Sequence, residues 1–466
     1  MISDDEQQDP LKATRRLIWI YCILWLIEGA IRKWIVPSLS LQLLLVRDPV
    51  VLMIYWSAIQ ARVFPNNGWI KFLWVLSAAI AVQAFFQLFV TGASLPVIAF
   101  GFRTFVLHLP LGWVVAAAFG RKEILTLGKW VLYIAPFLAA LMVIQFEVGP
   151  DHWLNVASLK GGAQIGSVFG RIRPPAIFSF ITGPIHYFAL CTAFVMAGFL
   201  KRELFSRVWL ILGVISILLA MSVSASRGLV MGCAVVVVAG VIAGLRTGKN
   251  VGGIVGLGVI VLIAVAVLSR FQVLQEGRSA FEERWTGDSE PGGSGGKVLA
   301  SRFGQNFATA FGWVNRVPLF GLGVGLSSNL AAERKNFEAP VEGEWERVIY
   351  EIGPITGFLY LAFRTVLSLK LVASGFRSLR SDNSMCILLG AACFFDMLNN
   401  NLRQVTTYGY TCVCCGLCLA AFKAFSADSA PTDTAQLSGI LEPVALERPR
   451  MRGRGPLAVG DSARQP

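Results

Sequence analysis

Residues 207–246 read RVWLILGVISILLAMSVSASRGLVMGCAVVVVAGVIAGLR, and the reading of this stretch decides the fold. Two apolar runs flank Ser222-Val223-Ser224-Ala225-Ser226-Arg227-Gly228, and neither carries a charge between its ends. Each approaches the length of about 20 residues that a helix needs to cross a bilayer's hydrocarbon. The break between them is short enough for only a tight turn. The stretch therefore reads as a hairpin of two membrane-spanning helices.

The same pattern recurs outward in both directions. Of the 466 residues, 55% are hydrophobic and 15% charged, against about 25% charged in a soluble domain. That excludes a disordered chain, a disulfide-stapled secreted domain and an ordinary cytosolic enzyme. The expected architecture is an all-α polytopic membrane protein. Twelve spans are drawn at 16–36, 41–61, 69–90, 97–119, 129–148, 176–199, 207–224, 228–245, 251–269, 347–372, 384–399 and 404–425. The chain then divides into a polar tail (1–14), spans one to nine (15–269), a long loop (270–346), spans ten to twelve (347–425) and a tail (426–466). The tail is rich in Ala, Pro, Asp and Arg, has no apolar period and is expected to be disordered. Met1–Pro10 is acidic and polar, and the first apolar run flows into another, so no cleavable signal is expected.

Net charge is +13. In a membrane protein such an excess belongs to cytoplasmic loops, so it does not point to nucleic acid. Seventeen Lys and Arg of the short segments fall on the side of the N-terminus and eight on the other, the long loop left aside. Both termini are therefore expected in the cytoplasm, with 149–175 and 270–346 outside. The second contains the flexible run GDSEPGGSGG (287–296). It then turns amphipathic over Val298–Val317, with Phe303, Phe307, Phe311 and Trp313 on a helical face. This reads either as a helix capping the bundle or as a lid. The nine cysteines all lie in apolar runs without His or acidic co-ligands beside them, which makes them packing thiols and neither disulfides nor metal ligands.

Charge inside a bilayer costs at least about 2.5–3.5 kcal/mol per residue and needs a partner or a task. Glu28 and Arg32 stand four apart on one helix face and are expected to pair. Arg47-Asp48-Pro49 reads as a helix start with a local pair. Asp396, Asn399–Asn401, Arg403 and Gln404 form a polar knot at the ends of the last two spans. In the Ser222–Gly228 turn, Ser224 or Ser226 can cap the eighth span. Arg227 then adds a fixed charge to a helix N-terminus, a combination suited either to a phosphate or to lipid headgroups. Arg171 and Arg173 precede Pro174-Pro175 at another such start, and Gly183-Pro184 is expected to kink the sixth span near His186. Together Arg103, Arg171, Arg173, Arg227 and Arg403 are expected to converge on an outward-facing basic chamber for an anionic, membrane-borne ligand.

Over 205–370 the chain resembles the O-antigen ligase and O-antigen polymerase superfamily. The residues that carry the resemblance are the Ser224-Ala225-Ser226-Arg227 turn, the long loop, Pro318–Gly325 (PLFGLGVG), and Glu351-Ile352-Gly353 with Gly357. The resemblance implies a metal-independent, cofactor-free, inverting glycosyltransferase in the bacterial inner membrane. It would move a glycan from an undecaprenyl-diphosphate carrier to an acceptor glycan or glycolipid at the periplasmic face, in cell-surface polysaccharide assembly. It also implies that Arg227, Arg302 and Arg173 bind the diphosphate, and it marks Glu351 as a motif residue. The chain departs from the family in lacking the His-Asn pair nine residues before Glu351. That position is Glu342, and Glu342 or Glu344 is expected in the histidine's place as base. Two other classes remain open: a transporter or flippase of lipid-linked oligosaccharide, and a non-catalytic assembly partner.

Overall fold

The computed structural model describes residues 9–90, 94–158, 164, 166, 170–247, 251–272, 275–277, 279, 304, 307–328, 330–331, 340–341 and 343–426. Among them there is no strand, only an isolated bridge between Gly166 and Ile172. The helices are α1 (Lys12–Ala30), α2 (Arg47–Gln60), α3 (Gly68–Val90), α4 (Leu95–Val106), α5 (Leu111–Ala118), α6 (Arg121–Glu147), α7 (Thr182–Leu200), α8 (Arg207–Ser224), α9 (Arg227–Thr247), α10 (Val251–Leu268), α11 (Glu344–Ile352), α12 (Pro354–Ser378), α13 (Ser384–Asn399) and α14 (Val405–Ser426). Eight helices among the described residues are long and apolar enough to cross a membrane, or nine if α4 and α5 count as one span. α7 and α14 are the most enclosed of these, while α2, α3, α6 and α9 keep much of their apolar surface outward. In water that exposure would be a liability; in a bilayer it is the surface that meets lipid.

The fourth expected span is broken. α4 and α5 meet at a 43° bend, because Pro110 brings no N–H and disfavours helical geometry in the residue before it. His108 sits in that bend, and its N–H is taken by the Tyr408 hydroxyl (3.2 Å). The sixth span begins later than its apolar run: residues 176–181 are turns and bends and α7 starts at Thr182. Pro184 thus stands in the first helical turn, where proline is tolerated, and needs no kink. Ser222–Gly228 is a tight turn as expected, with Ala225 in the left-handed region (φ 44°) between α8 and α9.

Contacts fix which helix ends lie together. Arg15 donates to the carbonyl of Ala118 (2.7 Å) and Arg121 lies over Phe425. The start of α1, the end of α5, the start of α6 and the end of α14 therefore share one end of the bundle. The opposite end gathers the close of α1, α6, α8 and α13 with the opening of α2, α4, α7, α9, α12 and α14. Residues 307–314 are helical and pack there, with Phe307 against Trp345, Phe311 against Phe358 and Trp313 against Tyr350. Of the amphipathic face expected for Val298–Val317, the described part over 307–314 thus covers α11 and the start of α12. Phe303 and residues 287–296 lie outside the described residues.

Candidate functional site

The second end is where the charge is. Ten charged side chains are buried among the described residues: Glu28, Arg32, Lys33, Arg47, Arg103, Glu344, Arg347, Glu351, Arg364 and Asp396. All ten stand at this end. Six are cations and four are carboxylates.

Three networks hold eight of them; Lys33 donates to the carbonyl of Ala176, and Asp396 stands with His186 and Asn400. In the first, Glu28 closes α1 and accepts from Arg32 Nη1 (3.3 Å) and Arg47 Nε (2.9 Å). The expected Glu28–Arg32 pair is present, but its carboxylate is shared. Arg47 also donates to the carbonyl of Val405 (2.7 Å), tying α2 to α14. In the second, Asp48 accepts from Arg103 through both oxygens (2.5 and 2.8 Å) and lies 3.0 Å from His108 Nε2. Arg47 and Asp48 are therefore not a local pair; each turns to a different element. The third joins α11 to α12. Glu344 accepts from Arg347 Nε (2.8 Å), Arg347 Nη2 (3.0 Å) and Arg364 Nη1 (2.5 Å). Glu351 accepts from Arg347 Nη1 (3.2 Å), from the N–H groups of Gly325 and Ser327 (both 3.1 Å) and from the Ser327 hydroxyl. The glycine-rich 318–328 segment is thereby clasped to α11.

Glu344 thus has a different part from the base expected of it. Burial pushes its pKa up, but Arg347 and Arg364 hold it below its ordinary 4.5. A carboxylate held ionised by two guanidiniums is a weak proton acceptor. Glu342 and Arg302 lie outside the described residues.

Beside these networks is a cavity of about 320 Å3, walled by residues between α1 and α2, the start of α7 and the start of α14. Its lining includes Arg32, Ser158, Ser179, Thr182, Arg403, Gln404 and Thr406. Arg32 is steadied by Glu28, by Ser40 through Oγ (3.1 Å) and O (2.9 Å), and by Ser179 Oγ (3.0 Å). Arg403 donates to the carbonyl of Ser327 and forms no ion pair with a described residue. Burial, and the nearby Arg347 charge, lower its pKa from 12.5. Both are penalties that a bound anion would relieve.

Of the five arginines expected to converge, Arg403 alone lines this cavity. Arg103 is held by Asp48. Arg171 donates to the carbonyls of Phe146 (3.3 Å) and Glu147 (2.6 Å) at the end of α6 and pairs with Glu276 (3.1 Å). Arg227 opens α9 behind the turn in which Ser224 Oγ accepts from the Ser226 N–H (3.3 Å). Arg173 follows Ile172 in the segment before α7. Asp396 faces His186 (3.3 Å) and accepts from Asn400 Nδ2 (2.6 Å). Arg32, read from the sequence only as the partner of Glu28, is the cavity cation that sequence reasoning left out of the site. Its signal was there: Glu28 is the one acidic residue of its helix, and two arginines, 32 and 47, follow it within twenty positions.

A second, larger cleft of about 420 Å3 lies between α1, α6, α7 and α14. Trp25 and Leu26 of α1, Tyr187 and Leu190 of α7, and Gly409, Tyr410 and Val413 of α14 form much of its wall, with α6 closing it at Val131 and Ile134. The Trp25 indole donates to the carbonyl of Thr406 (2.9 Å), so one hydrogen bond joins the cleft's wall to the cavity's.

No protein-family model and no curated protein sequence matches the chain. Among the described residues no group of His, Cys, Asp or Glu is arranged to hold a metal ion. The nine cysteines are all free thiols.

Proposed function

We propose that this chain is a polytopic glycosyltransferase that takes a glycan from an undecaprenyl-diphosphate carrier and passes it to a sugar hydroxyl of an acceptor glycan or glycolipid. In this reading the chain crosses the bacterial inner membrane twelve times, and the charged end faces the periplasm. One observation carries the proposal. A cavity lined by two arginines, at the end of the bundle where buried cations outnumber carboxylates, shares the walls of α7 and α14 with an apolar cleft. A ligand matching both is an amphiphile with an anionic head and a hydrocarbon tail. A polyprenyl diphosphate has this form.

The chemistry asks little more of the site. The acceptor oxygen attacks the anomeric carbon, the bond from that carbon to the diphosphate oxygen breaks, and the electron pair leaves on the diphosphate. The acceptor's proton passes to a carboxylate or to water. Fixed guanidiniums stabilise the charge that develops on the leaving diphosphate. Arg32 and Arg403 are the pair assigned to it, with Arg227, Arg173 and Arg302 retained on resemblance.

The test is transfer in proteoliposomes holding the purified protein, undecaprenyl-diphosphate oligosaccharide and acceptor glycolipid. Wild type should form the glycosylated acceptor. Arg403→Ala should cut donor affinity about ten- to hundredfold, the range for one hydrogen bond to a charged group. Donor crossing the bilayer unchanged would instead establish the flippase, and neither transfer nor crossing would leave an assembly partner.

A further inference from the structure

The end of the bundle opposite the charged cavity has a hollow of its own. Its volume is about 270 Å3, and it lies between the close of α7, the start of α8 and the start of α10. Phe199, Leu210, Ile211 and Ile260 give it apolar walls, and Arg202 and Arg207 stand on it as well. No carboxylate is among its described lining residues. Both arginines are exposed, and neither has a hydrogen bond or an ion pair with a described residue. The carboxylates near them are engaged elsewhere. Asp382 pairs with Lys201 (3.4 Å), and Glu203 lines a separate hollow with Lys129 on the α6 side of α8.

Glycines account for the space. Gly198 brings α7 so near α8 that a Cβ on it would strike the Leu210 side chain at 2.5 Å. On α10 the glycines do the reverse. The helix packs on the core through Leu257, Ile260 and Val261, yet a Cβ on Gly252 or Gly256 would meet nothing within 4 Å. Both of these glycines line the hollow. They therefore widen a gap where Gly198 closes one. An apolar gap is not favourably left empty, because its walls lack partner atoms across it. Hydrocarbon is the filling at hand, since the same helix carries Val255, Val259 and Leu262 exposed on its outer side.

We propose that this hollow binds an anionic phospholipid of the leaflet at that end, with an acyl chain along the glycine face of α10 and the headgroup phosphate on Arg202 and Arg207. Charge selects the lipid class. Two guanidiniums with no carboxylate beside them favour a headgroup of net negative charge over one that brings its own ammonium, for which the hollow offers no partner. The lipid then acts as a wedge that joins α10 to the α7–α8 hairpin. In the proposed orientation this leaflet is the cytoplasmic one, and the inference does not depend on the glycan-transfer reading.

The test is native mass spectrometry of the purified full chain, titrated in detergent with palmitoyl-oleoyl phosphatidylglycerol or with phosphatidylethanolamine of the same acyl chains. Wild type should bind the first phosphatidylglycerol more tightly than later ones, and more tightly than phosphatidylethanolamine. One arginine at a lipid surface is worth about fivefold in binding. Arg202→Gln combined with Arg207→Gln should therefore weaken the first binding roughly 25-fold. Arg380→Gln, exposed at the same end but outside the hollow, should leave it unchanged. Gly256→Leu fills the hollow without altering charge and should displace the lipid. Gly258→Leu, equally open but not part of the lining, should not. Equal affinity of wild type for the two lipids overturns the inference, as does wild-type binding by the double arginine variant or by Gly256→Leu. A loss in Arg380→Gln as large as in the arginine pair would show diffuse surface attraction and overturns it as well.

Discussion

Glu344 accepts from three guanidinium nitrogens and is wholly enclosed. Removing its charge leaves Arg347 with Glu351 alone and Arg364 with only backbone carbonyls, at Met397, Asp396 and Asn400. Breaking a buried pair from one side costs about 3–5 kcal/mol, so Glu344→Gln should lower the thermal midpoint sharply. Acid should do the same to wild type. The folded-state pKa lies below the ordinary value, so the stability this group contributes is fully present above about pH 4.5 and is lost as pH falls through the lower, folded value. A thermal-shift series from pH 7 to 3 should show that loss in wild type and a shallower one in Glu344→Gln; parallel curves would contradict the pairing. The sequence could announce Glu28–Arg32 because a separation of four is a local relation on one helix. It could not announce that Arg47 reaches back to Glu28, or that Asp48 reaches Arg103, since those partners meet only after three helices have packed. For the same reason it distributed five arginines around one chamber, when the structure assigns Arg103 to a carboxylate and Arg171 to a helix end.

At the scale of elements, the joint that positions the site is the approach of α4 to the 318–328 segment. A Cβ on Gly101 would fall onto the backbone of Val324 and Gly325, and Gly325 itself is at φ +83°, where a side chain is strained. The glycines are therefore spacing devices. They let the segment lie flat on α4 so that Glu351 can take the Gly325 and Ser327 N–H groups, and Ser327 in turn presents its carbonyl to Arg403. Gly101→Ala should cost about 1–3 kcal/mol through overpacking and should also weaken farnesyl diphosphate binding by loosening Arg403. Gly258→Ala, on an open helical face with nothing within 4 Å, should leave the melting temperature unchanged or slightly raised. Equal effects of the two would mean that the contact does not bear on the site. The motif Pro318–Gly325 was legible as a glycine pattern; what it packs against was not, because Gly101 lies over two hundred positions away.

At the scale of the whole molecule, what the sequence made plain was apolar length, and what it blurred was where a helix ends inside an apolar run. The α4–α5 bend and the late start of α7 are both hidden, because turns enclosed among other helices are as apolar as the helices themselves. A bend within a span changes no side. The contacts of Arg15 with the end of α5 and of Arg121 with the end of α14 put the first and last helices' outer ends together. The Lys and Arg bias of the short loops is the separate argument that places that end in the cytoplasm in the proposed reading. The two facts are independent, because one comes from packing and the other from charge, and they make a joint prediction. A fluorescent protein fused after Phe425 should fold and fluoresce in the cytoplasm. A cysteine introduced at Leu319, which is 60% exposed in the 318–328 segment, should react with a membrane-impermeant thiol reagent in intact spheroplasts, while one at Arg121 should not. Labelling at Arg121 and protection at Leu319 would invert the protein in the membrane. The cavity between Arg32 and Arg403 would then open to the cytoplasm, where the glycan donor at its periplasmic face would be out of reach, and the transfer reading would fall with the orientation.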